Sequence, residues 1–255
     1  MKKHFQNISK NKQHFSRLYT NLYTNAVKLP VLLPVFIGII TLTNCASIKK
    51  NATYVTPQSI QIKSGTTAQS PLTEAWQRSL IQLTKGIFFI ENSEREAGII
   101  NISFDQTDPG QYVTCGNFTI KDRRLSGTRN VTYDPVSSIR FGKGFKTNGE
   151  KVTVIRSTQL YGKANLLFLE RDTERTRVRV NILYTLVSKT QFKTGEEITD
   201  AINQSYSFTT ANRFEGIDDV NNTKIICQTK GTLEKALLNT ARRSTDLDED
   251  EEEDI

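Results

Sequence analysis

Strict alternation of polar and apolar residues is the feature that most constrains the fold of this 255-residue chain. It is clearest in residues 176–184, which read T-R-V-R-V-N-I-L-Y, and it returns at residues 152–155 and 164–169. Successive side chains of a strand point to opposite faces, so this period predicts strands with one buried face. Breaks at residues 142–149, Gly162 and Gly195 separate the runs, which predicts an antiparallel meander between residues 123 and 210.

Two helices are predicted, one before the meander and one near the C-terminus. Ser70 and Pro71 are typical of a helix start, and Lys85-Gly86 is typical of a helix end. Between them, apolar residues at helical spacing form one stripe: Leu72, Trp76, Leu80 and Leu83. This spacing favours a core role for Trp76 over a ligand-binding one. The second helix has its apolar side at Leu233 and Leu237, and residues 198–203 predict a further short helix.

Shorter apolar runs complete the expected fold. Strands are predicted at residues 59–63, 87–90, 99–104, 111–118, 204–208 and 225–227, with a charged turn at residues 91–98. We therefore expect an α+β fold in which a helix packs on a mainly antiparallel sheet. Its order is a β-α-β-β start, an antiparallel meander and a C-terminal helix.

An apolar segment in residues 28–45 indicates where the protein resides. Residues 31–42 are almost entirely apolar, but a helix of that length reaches only ~18 Å against a hydrocarbon core of ~30 Å. Residues 1–30 are basic and hold no Asp or Glu, which is typical of a secretory leader. The segment ends in Leu42-Thr43-Asn44-Cys45, which resembles the bacterial lipobox, although Asn44 replaces the usual small residue.

The lipobox resemblance implies that Cys45 is acylated and becomes the first residue of the mature protein. Ala46 is not the aspartate associated with retention in the inner membrane, so we expect an outer-membrane, periplasm-facing lipoprotein. The alternative is an uncleaved signal anchor in the inner membrane. The predicted layout is a signal peptide at 1–44, a tether at 45–57, one α+β domain at 58–243 with a possible subdivision near 122, and a disordered acidic tail at 244–255.

The charge distribution argues against nucleic-acid binding. The formal net charge is +7, but residues 1–44 hold six basic and no acidic residues, so the remainder carries only +1. Eight acidic residues lie between Asp246 and Asp254, which leaves +9 on residues 45–245. A basic body is therefore followed by an acidic segment, which either stays solvated or docks on a basic partner, including this body.

Both histidines, His4 and His14, lie in the leader, so a cleaved chain has no imidazole base or metal ligand. With Cys45 assigned to lipid, Cys115 and Cys227 remain as a candidate disulfide, since an exported protein is oxidised; two buried free thiols are the alternative. A lone cysteine pair is a poor zinc motif. We expect no metal, no cofactor and no catalytic residue.

Two sequence signatures support an envelope location. The stretch Y-V-T-C-G at Tyr112 and the stretch C-Q-T-K-G-T-L-E at Cys227 resemble those of a group of uncharacterised proteobacterial outer-membrane lipoproteins. The first half is also faintly similar to the helix-on-sheet domains of a lipoprotein component of the outer-membrane β-barrel assembly machinery. The resemblance implies an address and a fold, and no activity.

Arg175, Arg177 and Arg179 lie on one face of a predicted strand, which makes them a candidate ligand or partner face for anionic lipid, lipopolysaccharide or glycan. A simple solvated face is the alternative. The first functional hypothesis is a non-enzymatic accessory or scaffold subunit of an envelope complex. The second is a carboxylate-based enzyme or a glycan- or lipid-binding module, with some of Glu91, Glu94, Asp105 and Asp108 converging near Arg177.

Overall fold

The computed structural model describes residues 52–124, 127–145 and 149–242. Cys45, the predicted leader and the acidic segment lie outside these residues. Within the described residues the order of elements is β1 (Ala52–Val55), β2 (Gly65–Ala68), α1 (Leu72–Leu83), β3 (Phe89–Glu94), β4 (Ile99–Gln106), a 3-10 turn (Pro109–Gln111), β5 (Val113–Thr114), β6 (Asn117–Arg124), β7 (Gly127–Tyr133), β8 (Ile139–Phe145), β9 (Lys151–Glu170), β10 (Thr176–Thr194), β11 (Glu197–Thr209), β12 (Phe214–Asp218), β13 (Thr223–Thr229) and α2 (Thr232–Thr240).

A long antiparallel hairpin, β9–β10, is the centre of the largest sheet. Its strands pair continuously from Glu170 opposite Thr176 to Val152 opposite Thr194. Strands β2 and β11 pair with successive parts of β10, on the side away from β9. Strands β8 and β4 pair with successive parts of β9, on the side away from β10, and β3 pairs with β4. Two three-stranded sheets, β1-β6-β7 and β12-β13-β5, accompany it. The expected mainly antiparallel α+β fold is confirmed at this level.

The alternation in β10 has the predicted effect on burial. Thr176, Val178 and Val180 are buried, whereas Arg177 and Arg179 are exposed. The buried face of the large sheet forms a single core with residues of both helices, and Trp76 packs against this core, as its helical spacing predicts. Helix α1 contacts β9 and α2, while α2 contacts β10. All described residues belong to one compact unit.

An aromatic row crosses the large sheet at Gly162. This glycine lies in β9 between Phe104 of β4 and Tyr184 of β10, and Tyr184 in turn lies opposite Phe208 of β11. A methyl group on Gly162 would stand 2.0 Å from Cζ of Phe104, so the Phe104 ring occupies the space that a side chain would need. Gly162 was predicted to end a strand, but β9 continues through it because the ring covers its backbone.

Five further predictions differ from the structure. Residues 59–63 form no strand, and the strand before α1 is β2 instead. The predicted helix at 198–203 is part of β11, and the predicted turn at 91–98 begins only after β3 ends at Glu94. Residues 111–118 are split between the 3-10 turn, β5 and the start of β6. The expected tether also reaches too far into the domain, since Ala52–Val55 pairs with β6.

Candidate functional site: a basic groove

The predicted arginine face is only partly assembled in the structure. Arg177 and Arg179 point outward from β10, because the residues between and beside them are buried. Arg175 lies in the turn before β10, where its guanidinium forms an ion pair with Asp172 at 2.6 Å. This ion pair raises the pKa of Arg175 and lowers that of Asp172. The candidate face is therefore Arg177 and Arg179 without Arg175.

Arg177 and Arg179 line a cavity of about 1250 Å³, which we call the basic groove. Cationic side chains from four parts of the chain surround it: Lys63, Arg171, Arg177, Arg179 and Arg242. Ser64, Thr66 and Thr67 also line it, with the Thr67 side chain on the same sheet face as Arg177, and Glu170 is the acidic residue among the described lining residues. The groove thus combines a cationic lining with hydrogen-bond donors, the usual composition of an anion-binding surface.

The groove exists because β2 pairs with the first residues of β10. Thr67 lies opposite Arg177 and Gly65 lies opposite Arg179, while on the other side of β10 Leu169 lies opposite Arg177. A Cβ atom on Gly65 would be 3.3 Å from the carbonyl oxygen of Val178 and 3.6 Å from Cγ of Arg179, so β2 lies directly against the arginine stem. The backbone N–H of Val180 donates to the carbonyl of Ser64 at 2.8 Å, which extends this contact toward Lys63.

The two central arginines are available to a ligand. Within the described residues, neither Arg177 nor Arg179 forms an ion pair or a side-chain hydrogen bond. A guanidinium presents its donors as a planar fork that matches carboxylate and phosphate oxygens. Two neighbouring forks on one strand face lie ~7 Å apart, from the ~3.3 Å rise per strand residue. The groove can therefore hold a phosphate or carboxylate group on each fork.

The predicted convergence of carboxylates near Arg177 is wrong. Glu91 and Asp105 line a different cavity of about 500 Å³, which we call the apolar cavity because most of its surface is apolar and Phe89, Tyr161 and Leu183 are among its lining residues. Lys163 lies 3.1 Å from Glu91, and its hydrogen bond lowers the pKa of that carboxyl. Glu94 and Asp108 are absent from the described lining of this cavity and hydrogen-bond locally, Glu94 to Asn92 and Asp108 to Gln111.

The predicted disulfide between Cys115 and Cys227 is confirmed. It joins the segment between β5 and β6 to β13, and both cysteines are fully buried. The hydroxyl of Tyr54 in β1 donates to the carbonyl of Cys115 at 2.9 Å and accepts from the backbone N–H of Ile226 at the same distance. The N-terminal strand is therefore fixed directly to the cross-linked segments.

The two sequence signatures lie side by side around this bridge. Val113 pairs with Thr229, and the backbone N–H of Lys230 donates to the carbonyl of Tyr112 at 2.8 Å. Glu234, the last residue of the second signature, is fully buried and accepts hydrogen bonds from Thr229 and Thr210, each at 3.0 Å. The signatures thus have a structural role, which explains their residues without a ligand.

A buried charge cluster was not predicted from the sequence. Arg156 and Asp218 form an ion pair at 3.0 Å with side chains 1% and 0% exposed. Burial lowers the pKa of Arg156, but Asp218, Tyr206 and Tyr133 together raise it by more, so the net pKa is raised. Burial also raises the pKa of the adjacent Tyr206 phenol. The two-residue alternation along β9 could have revealed the cluster. Arg156 occupies an inward position in that alternation, between the buried residues Val154 and Thr158.

In comparisons with known proteins, no family model, no curated protein and no solved structure matches the chain. In the described part of the chain, no group of three or more His, Cys, Asp or Glu side chains is placed to hold a metal ion. No helix among the described residues is long and apolar enough to cross a membrane.

Proposed function

We propose that the chain is a lipoprotein of the bacterial cell envelope that acts by binding, and that its folded domain holds an anionic lipid headgroup in the basic groove. The observation that carries this proposal is the pair of outward arginines, Arg177 and Arg179, at the centre of a cationic lining. The anchor is acylated Cys45, and the domain faces the periplasm from the outer membrane. The helix-on-sheet arrangement predicted from the sequence is part of this proposal, supported by the contact between α1 and β9.

The chemistry of the groove favours a phosphorylated ligand. Arginine forks bind phosphate with two parallel N–H···O bonds, and a charge-assisted bond contributes about 1.5–3 kcal/mol. Exposed Leu169, with 39% of its surface accessible, adjoins Arg177 and adds an apolar contact beside the cationic lining. A lipid with a phosphate headgroup and an acyl chain supplies partners for both surfaces.

Binding rather than catalysis fits the distribution of candidate groups. Both histidines precede Cys45 in the sequence, and the four carboxylates of the second hypothesis do not come together: Glu91 and Asp105 line the apolar cavity, whereas Glu94 and Asp108 hydrogen-bond locally. Glu91 is engaged by Lys163. The proposal therefore assigns no acid–base residue.

The test uses the full chain in a neutral detergent, titrated with a water-soluble short-chain phosphatidylglycerol and, separately, with the matching phosphatidylcholine. We expect calorimetric binding of the anionic lipid alone, weakened as salt rises because exposed charges are screened. The double variant Arg177→Gln/Arg179→Gln should bind at least about 100-fold more weakly, since it loses two charge-assisted contacts.

The matched control is Lys189→Gln, which removes an exposed charge from the same face of β10 about 33 Å from Arg179, counted at ~3.3 Å per residue. Its affinity should equal that of the wild type. Equal binding of both lipids, or an unchanged affinity in the double arginine variant, would refute the assignment of the groove.

A second candidate function, an accessory subunit of an envelope protein complex, is favoured by the apolar cavity. Three large side chains are exposed there: Phe89 by 65%, Leu183 by 45% and Tyr161 by 42%. Exposed apolar patches of this kind mark protein contacts. Phe89→Ser should abolish co-purification of a partner from membranes, whereas Ile217→Ser, which changes an exposed residue of β12, should not.

A further inference from the structure

The end of the described chain lies at the basic groove. Arg242, which follows α2, is one of the groove's lining residues. The acidic segment, residues 246–254, begins four positions further along the sequence. An extended chain spans at most ~3.6 Å per residue, so its first carboxylate cannot lie more than about 15 Å along the backbone from Arg242. Covalent geometry therefore keeps this segment close to the groove.

The two surfaces are complementary in charge. The acidic segment holds eight carboxylates in nine residues, and the groove lining supplied by the described residues holds five cations and one carboxylate. From these observations we propose that residues 246–254 dock in the basic groove of their own chain and occupy it as an internal anionic ligand.

The dimensions of the groove suit an extended segment. Its floor consists of three adjacent strands, β2, β10 and β9, which span about 10 Å at ~4.8 Å per strand. Alternate residues of an extended chain are ~7 Å apart, the same spacing as Arg177 and Arg179 on β10. Carboxylates at two alternate positions, such as Glu249 and Glu251, therefore match the two guanidinium forks.

Docking within one chain has a consequence for external ligands. A segment joined by a short linker acts at an effective concentration in the millimolar range, so a free anion has to displace it. The acidic segment then lowers the apparent affinity of the groove for lipid. This regulatory consequence depends on the proposed function, whereas the docking itself depends only on the groove and the segment.

The first test is carbodiimide cross-linking of the full chain at low concentration, followed by peptide mapping. This reagent joins a carboxylate to an amine only when they are in contact. The Arg177→Lys variant keeps the charge and places an amine in the groove, while Lys189 provides a native amine on the same strand face. We expect amides between residues 246–254 and the amine at position 177 or Lys63, lost in 0.5 M salt. Cross-links to Lys189 in equal yield, or none within one chain, would overturn the proposal.

The second test measures lipid binding after neutralising the segment. A variant with the eight acids changed to Asn or Gln should bind short-chain phosphatidylglycerol at least about tenfold more tightly than the wild type. An unchanged affinity, with the wild type binding normally, would overturn the docking and leave the proposed function standing. Groove cross-links together with an absence of lipid binding in both proteins would support the docking and refute the proposed function.

Discussion

Removing the bridge between Cys115 and Cys227 should destabilise the domain by several kcal/mol. The bridge connects residues that are 112 positions apart in the sequence. For a loop of that length, the chain-entropy relation gives about 4.8 kcal/mol at 25 °C, because the cross-link restricts the unfolded chain. With a shift of ~2–4 °C per kcal/mol for a domain of this size, the loss should lower Tm by roughly 10–19 °C.

The assay is urea unfolding of the wild type, oxidised and reduced, beside the Cys115→Ala/Cys227→Ala variant. The reduced wild type keeps both sulfur atoms, so its difference from the oxidised form reports the cross-link, and its difference from the variant reports packing. Both cysteines are fully buried, so we expect reductant to act only after unfolding. Oxidised and reduced forms that agree within about 1 kcal/mol would refute the loop-entropy reasoning.

Three further predictions concern two buried residues and one partly buried residue. Asp218→Asn should lower the free energy of unfolding, measured in urea, by about 3–5 kcal/mol, because it leaves the buried Arg156 charge without its ion-pair partner. Gly162→Ala should cost about 1–3 kcal/mol despite the usual preference for alanine over glycine in a strand, because the new methyl group meets the Phe104 ring. Burial raises the pKa of Asp134, so the folded state binds the proton of this carboxyl more tightly than the unfolded state does. The free energy of unfolding of the wild type, compared with that of Asp134→Asn, should therefore fall as the pH rises from ~3.9 to the raised pKa.

Each of these predictions has a matched comparison. Replacing Arg156 and Asp218 together by Met and Leu should recover most of the loss, and a double variant as unstable as Asp218→Asn would contradict the charge argument. In a Phe104→Leu background, Gly162→Ala should cost little; an undiminished cost would exclude the ring as its cause. A stability difference between the wild type and Asp134→Asn that does not change with pH would contradict the effect of burial on that carboxyl.

Local patterns in the sequence predicted elements whose buried face repeats without interruption. Helix α1 and strand β10 are of this kind, since a stripe of apolar residues or a strict alternation defines the buried side. The disulfide could also be predicted, because the expected export and the assignment of Cys45 to lipid left one possible cysteine pair.

The wrong predictions concern residues whose conformation depends on distant partners. Ala52–Val55 becomes a strand because β6, more than sixty residues later, offers an edge. Gly162 stays within β9 because Phe104 covers it, and Ile198 is in β11 because Lys193 lies opposite in β10. The basic groove has the same origin, since β2, the end of β9 and Arg242 meet only in the folded chain. A local stretch of the sequence does not show which distant residues will meet in this way.

The aromatic row through Gly162 bears on how the long hairpin avoids slippage. A shift of β10 by one residue would turn Arg177 and Arg179 into the core, and the cost of burying them prevents it. A shift by two residues keeps polar and apolar faces intact, so alternation alone does not exclude it. A shift of β10 by two residues moves Tyr184 away from Gly162, and a shift of β9 by two residues against β4 brings Leu160 or Ala164 opposite Phe104, where its side chain meets the ring. One glycine thereby distinguishes the native alignment of β9 with β4 from the nearest alternatives that keep the same faces buried.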